Sequence, residues 1–132
     1  MSIRRTCLWD PALLPAPLQS GTGRTAVRLE LTAHGRDLVL HVGGGEAHVG
    51  AVAVAEPGRP AMLTVVPGHK EGPLAAEAAA TLAAAADCVC TVIAGIHQDD
   101  ATGQEIAAIV VNVNEGVTRL AGALQELRRT RT

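Results

Sequence analysis

Hydrophobic and polar residues alternate along the first regular segment of the chain, which starts near Thr25. The apolar residues occupy every second position: Val27, Leu29, Leu31 and Ala33. A period of two predicts a strand with one buried face. A turn at residues 35–37 follows, and residues 38–42 then predict a second strand running back along the first.

Three further segments have strand character. Residues 49–55 are apolar at every position, which predicts a central third strand. A Pro-Gly-Arg-Pro turn at 57–60 leads to a fourth strand at 62–66, and an antiparallel meander is the expected arrangement. Residues 88–96 are again apolar on both sides and predict a fifth strand.

Two helices are predicted from their start signals and periodicity. Gly72 and Pro73 open an alanine-rich helix over residues 74–86, because proline suits the first helical turn and alanine favours helix. Thr102 and Glu105 have capping-box spacing and start the second helix. Its apolar residues recur at helical intervals: Ile106, Ile109, Val110, Val113, Val117, Leu120, Ala121, Leu124 and Leu127.

This order of elements predicts an α+β fold, β-β-β-β-α-β-α, with a mostly antiparallel sheet and both helices on one face. Residues 1–23 are expected to form an irregular lead-in that docks on a single domain at 24–132, through Leu8, Trp9, Leu13 and Leu14. Two helices cannot cover both faces of the sheet, yet two strands are apolar on both sides. We therefore expect a homodimer that hides the second face.

Composition narrows the class of protein. The 132 residues are 48% hydrophobic with a net charge of -2, and Trp9 is the only aromatic residue. Without a basic stripe or stacking aromatics, nucleic-acid binding is not expected, and no apolar run reaches the length of a membrane span. Cys88 and Cys90 have neither disulfide-framework nor redox spacing, so we interpret them as core residues of a cytoplasmic protein.

Three polar clusters, each with one histidine, interrupt the apolar segments: GGGEAH at 43–48, PGHKEG at 67–72 and GIHQDD at 95–100. If successive strands reverse direction, all three clusters lie at one edge of the sheet, where both helices also begin. Helix N-termini present unpaired amides and a positive dipole end. Together with a triple-glycine turn and Lys70, they predict a site for an anion or a phosphate.

The histidines leave several functions open. His48, His69 and His97, with Glu71, Asp99 and Asp100, are candidate ligands of a metal-dependent hydrolase, although none has a recognised ligand spacing. Glu71 or Asp99 could act as a general base, but no nucleophile elbow, Walker loop or Rossmann motif is present. A third alternative is an assembly factor that binds only proteins. His34 and His41 are interpreted as surface residues.

The segments GGGEAHVGAVAV, PGHKEGPLA and GIHQDDATGQEI, over about residues 38–110, resemble the LpdD-like family of prenylated flavin chaperones. These proteins accompany UbiD-class hydroxyaryl decarboxylases. The resemblance implies a dimeric α+β protein similar in fold to proteasome assembly chaperones. It also implies a non-catalytic carrier that holds reduced prenylated FMN and delivers it to a UbiD-like decarboxylase.

The resemblance also implies roles for residues of the three clusters. Gly44 and Gly45 would let the backbone approach the flavin, and His48, His69 and His97 would contact its polar edges. Lys70 and the start of the second helix at Thr102 would face the phosphate. Glu71 and Asp99 complete the expected cofactor-binding set. Because the chain contains no Tyr or Phe, the flavin ring would rest on aliphatic side chains, on histidine or on a dimer partner.

Overall fold

A computed structural model describes residues 8–131. The third cysteine of the sequence, Cys7, lies outside this range. The strands are β1 (Leu18–Ser20), β2 (Val27–His34), β3 (Asp37–Gly45), β4 (Ala51–Ala55), β5 (Met62–Val65) and β6 (Cys90–His97), and the helices are α1 (Gly72–Ala86) and α2 (Gly103–Arg131). The predicted α+β class, with a mostly antiparallel sheet and two helices, is confirmed. Within the described range, neither helix is long and apolar enough to cross a membrane.

The six strands form one sheet in the order β1-β2-β3-β6-β4-β5. The predicted antiparallel meander is therefore wrong, because β6 lies between β3 and β4. Helix α1 carries the chain from β5 past β4, so β6 joins the free side of β4 and then pairs with β3 in parallel. All other neighbouring strands are antiparallel.

The glycines at 43–45 belong to a strand and not to a turn, which corrects the sequence prediction. Strand β3 continues through Gly45 because β6 offers it a partner at each position, with Gly43 opposite Gly95 and Gly45 opposite His97. An ordinary strand ladder thus satisfies the backbone groups of this segment.

The segment before residue 24 contributes a strand that the pattern did not predict. Residues Leu18–Ser20 pair with β2 at the edge of the sheet. Trp9 is buried and Leu14 packs against the core, whereas Leu8 and Leu13 are 65% and 61% exposed. The lead-in therefore docks through two of the four apolar residues named for that role.

The core lies between one face of the sheet and the two helices. Helix α1 brings buried alanines against β4 and β6, so the layers approach closely. On α2, a Cβ at Gly116 would lie only 2.7 Å from the side chain of Leu29. The opposite face of the sheet carries half-buried apolar side chains (Val39, Val52, Val54 and Ile93), and no helix or strand among residues 8–131 covers them. The homodimer stays a prediction.

Candidate functional site

The three histidine-bearing clusters meet at one edge of the sheet, as expected from the chain directions. The ring centroids of His48 and His69 are 4.9 Å apart, and those of His48 and His97 are 6.4 Å apart. Strands β3 and β6 both end at this edge, β4 begins just after His48, and α1 begins just after His69. The starts or ends of these four elements thus meet at one edge of the sheet.

Glycines at this edge let neighbouring backbones come into contact. A Cβ at Gly95 would lie 1.7 Å from the carbonyl oxygen of His48. Gly45 has a φ of +59°, and its Cβ would lie 2.0 Å from the carbonyl oxygen of His97. Since only glycine tolerates such contacts, these residues fix the positions of His48 and His97 at the rim.

A cavity of about 370 Å³ lies between the clusters and the start of the two helices. Its apolar lining residues are Leu74, Ile96, Ala101, Ile106, Ile109 and Val110, and its other lining residues are His48, Gly68, His69, Lys70, Glu71, His97 and Gln98. This volume falls within the range of about 300–1,000 Å³ that is usual for small-molecule sites. The mixture of apolar and polar lining suits a ligand that has both apolar surface and polar groups.

Backbone carbonyls orient two of the imidazoles. His48 Nδ1 lies 3.2 Å from the carbonyl oxygen of Glu46, and His69 Nδ1 lies 3.2 Å from those of Val66 and Pro67. Because a carbonyl only accepts hydrogen bonds, the tautomer of His69 that satisfies these contacts carries its proton on Nδ1. In its neutral form, His69 therefore presents Nε2 as an acceptor.

Glu71 links the second cluster to His48. Its Oε1 lies 3.4 Å from His48 Nε2. Its Oε2 is buried against Gly50 without a hydrogen-bond partner among the described residues. Such exceptions are rare, because a buried polar atom without a partner is costly. Glu71 Oε2 thus keeps unused hydrogen-bonding capacity where the side chain packs beside Gly50.

Lys70 and the N-terminus of helix α1 bring positive charge to the cavity, next to the Glu71 carboxylate. Lys70 lines the cavity directly and is the only lysine in the sequence. Glu71 occupies the N-cap position of α1, and within residues 8–131 no side chain caps this helix end. Pro73 in the first turn has no N–H, so it is mainly the dipole of α1 that favours negative charge at this end.

Asp99 and Thr102 lie beside the cavity and are not part of its lining. Asp99 Oδ1 is 3.0 Å from His97 Nε2, at an exposed position. Thr102 forms the predicted capping box: its N–H donates to Glu105 Oε1 at 3.0 Å, and its Oγ1 accepts from the Glu105 N–H at 3.1 Å. The Thr102 N–H bond, followed by the Arg24 side chain, lowers the pKa of Glu105. Ligand contacts by Asp99 and Thr102 stay predictions.

Gly44 and Gly45 line a separate groove of about 380 Å³ beside β2, together with Arg28, Glu30 and His41. The structure thus does not bring these two glycines into the histidine-lined cavity. Their close backbone contacts are with neighbouring segments of the chain. A role of Gly44 and Gly45 in flavin binding stays a prediction.

Sequence reasoning missed Gln98, Arg24 and the apolar lining of the cavity. Gln98 stands next to His97 but was not named as a site residue. Arg24 bonds to the third cluster from 74 or more positions away, so no local spacing could reveal it. Ile106 lines the cavity and is 54% exposed, so this apolar side chain does not belong to the buried core.

The described residues contain no group of three or more His, Cys, Asp or Glu side chains that could hold a metal ion. The three imidazoles approach one another, but two of them direct Nδ1 to backbone carbonyls. The metal-dependent hydrolase therefore has no ligand set within residues 8–131.

The fold and the cavity define a small α+β protein with a ligand-sized site at one edge of its sheet. The family model for the prenylated flavin chaperone LpdD-like domain matches residues 21–125. The chain therefore belongs to this family. The match covers all strands from β2 to β6, all of α1, α2 as far as residue 125, and the cavity-lining residues. No curated protein shows significant similarity to the chain.

Proposed function

We propose that the protein binds reduced prenylated FMN in the histidine-lined cavity and delivers it to a UbiD-like hydroxyaryl decarboxylase, without catalysing a reaction itself. The observation that supports this proposal is the cavity, which is lined by apolar side chains together with three histidines and a lysine. Family membership supplies the class of ligand. The client enzyme and the reduced state of the flavin are parts of the proposal.

The side chains around the cavity fit a prenylated flavin. Ile96, Ile106 and Ile109 offer aliphatic surface to the ring system and to its prenyl-derived part. Trp9, the only aromatic residue, is buried elsewhere in the core, so the ring would not stack on an aromatic side chain of this chain. His48 and His69 can exchange hydrogen bonds with the polar edge of the ring.

Lys70 and the start of α1 would hold the phosphate. Lys70 lines the cavity and α1 begins two residues later, and an ammonium group beside a helix N-terminus is a favourable environment for an anion. Modest affinity suits this role, because a carrier must release its ligand and affinity is adjusted mainly through the dissociation rate.

We also propose that two copies of this chain associate through the open face of the sheet in the cytoplasm. The support is the half-buried apolar surface around Val52 and Ile93, which lies away from the helices. Sedimentation should show a dimer that Ile93→Lys converts to a monomer. A wild-type protein that sediments as a monomer would contradict this part.

Anaerobic titration tests the proposal directly. Reduced prenylated FMN should bind more tightly than reduced FMN, and His69→Ala should weaken binding, whereas His34→Ala on the exposed end of β2 should not. Equal affinity for both flavins, or no binding of either, would remove the proposed function. Transfer is read out by the activity that an apo-decarboxylase gains from the loaded protein.

The single lysine gives a second, independent readout. An amine-reactive acylating reagent should label Lys70 more slowly when a phosphate-bearing flavin is bound, but not when the corresponding riboflavin form is added. The N-terminal amine serves as the internal reference in the same mass spectrum. Unchanged labelling of Lys70 in the loaded protein would place the phosphate elsewhere.

A further inference from the structure

The side chain of Arg24 connects the segment before β2 to the loop between β6 and α2. Its Nε donates to Glu105 Oε2 at 2.7 Å, its Nη1 donates to Gln98 Oε1 at 3.4 Å, and its Nη2 donates to the carbonyl oxygen of Asp99. In return, Gln98 Nε2 donates to the Arg24 carbonyl oxygen at 2.7 Å. We refer to Arg24, Gln98, Asp99 and Glu105 as the arginine clasp.

The loop that the clasp holds forms one wall of the cavity. Gln98 and Ala101 line the cavity, and His97 precedes them at the end of β6. Asp100 has a φ of +52°, a left-handed conformation that non-glycine residues adopt at some energetic cost. The clasp holds the chain next to this residue through the carbonyl oxygen of Asp99.

Arginine suits this position better than lysine would. Its guanidinium offers several N–H donors in a fixed plane, so one side chain can bond a carboxylate, an amide and a backbone carbonyl together. The carboxylate of Glu105 is shared, since Oε1 accepts from the Thr102 N–H while Oε2 accepts from Arg24. Arg24 therefore connects the loop to the first turn of α2 as well as to β2.

Arg24 does not line the cavity. We propose that Arg24 is a positioning residue that holds the loop at 98–102, and with it His97 and Gln98, in the arrangement that retains the flavin. This inference rests on the proposed function. Loss of the clasp should accelerate flavin release, because the wall opens more often, and leave the rest of the fold intact.

The first experiment needs no ligand. Hydrogen exchange by mass spectrometry should show faster exchange of residues 98–105 in Arg24→Ala than in wild type, and an intermediate rate in Arg24→Lys. Arg59→Ala is the matched control, because Arg59 forms an exposed ion pair with Glu56 in a distant turn. Unchanged exchange in Arg24→Ala would overturn the inference whatever the flavin data show.

The second experiment measures release of reduced prenylated FMN by stopped flow. Partly exposed ion-pair networks contribute modestly, so we expect Arg24→Ala to raise the dissociation rate about three- to tenfold, with little change in the association rate. Glu105→Gln should act in the same direction, since the amide can still accept from the Thr102 N–H but loses the ion pair. The double variant should release flavin no faster than Arg24→Ala alone.

The two experiments separate the possible failures. Faster loop exchange with an unchanged dissociation rate would refute the positioning role while leaving the proposed function standing. A wild-type protein that binds no flavin would refute the proposed function, and the positioning role with it. A global loss of protection in Arg24→Ala, beyond residues 98–105, would assign Arg24 to folding and also overturn the inference.

Discussion

Gly95 allows the sharpest test of how the site is built. Replacement by alanine adds a Cβ that would lie 1.7 Å from the carbonyl oxygen of His48 and 2.4 Å from its carbonyl carbon, where ordinary contacts begin at 3.4 Å. Both atoms belong to the backbone, so rotation of a side chain cannot relieve the clash. The segment that leads from His48 into β4 must move away from β6.

The size of the effect follows from three contributions. Overpacking of this kind costs about 1–3 kcal/mol. The displacement also strains the hydrogen bond from Gly50 N–H to the Ala94 carbonyl oxygen, now 2.9 Å long, and its loss costs about 1 kcal/mol. Against this, alanine lowers the entropy of the unfolded chain and regains about 0.4–1 kcal/mol. We therefore expect Gly95→Ala to lower the free energy of unfolding by about 1–3.5 kcal/mol.

Urea unfolding at equilibrium, followed by circular dichroism, measures this change with wild type as the reference. For a chain of this length, the loss corresponds to a fall in Tm of about 4 °C per kcal/mol. The same variant should bind flavin more weakly, because His48 moves with the displaced segment. A Gly95→Ala protein as stable as wild type would refute the proposed contact between β6 and His48.

Three further predictions use other positions. Gly122→Ala, in α2 with nothing within 4 Å of the added Cβ, should stabilise the protein by about 0.5–1 kcal/mol in the same urea assay, and a loss of stability would contradict the open surroundings. The lowered pKa of Glu105 stabilises the fold at pH values above its ordinary pKa of 4.5, and this contribution disappears as the pH falls through the folded-state pKa. Glu105→Gln should therefore flatten the dependence of stability on pH in the acid range. An unchanged dependence would count against the bonds to Thr102 and Arg24. Burial raises the pKa of Cys90 to about 12, so iodoacetamide at pH 8 should alkylate this thiol only after the protein unfolds. Peptide mass mapping measures the alkylation, and rapid alkylation of the native protein would contradict the burial of Cys90.

Chain direction could be predicted from the sequence, whereas the lateral order of the strands could not. The alternation at Val27–Leu31 and the turn signals fix where the chain reverses, and each reversal is a local property. The position of β6 depends instead on which strand edge is free when α1 returns to the sheet. That choice rests on long-range packing of small residues such as Ala53 and Ala94, which periodicity does not encode.

The site could be predicted in part for the same reason. The location of the three histidines (His48, His69 and His97) depends only on which end of a strand each one adjoins. The insertion of β6 between β3 and β4 therefore leaves them at one edge of the sheet. Arg24 depends on a contact across 74 to 81 positions, and no pattern within a single element indicates it.

A glycine in the sequence does not distinguish a ligand-binding role from a role in chain packing. Gly44 and Gly45 indicate that something approaches the backbone closely, but the sequence does not say what. In the structure, the carbonyl oxygen of His97 approaches Gly45, and the backbone of Ala26 and the side chain of Ile96 approach Gly44. Close approach to a ligand and close approach to a neighbouring strand impose the same requirement on one residue. Histidine says more about function at these positions. A smaller apolar residue would pack equally well at the end of a strand, so an imidazole there indicates a polar role.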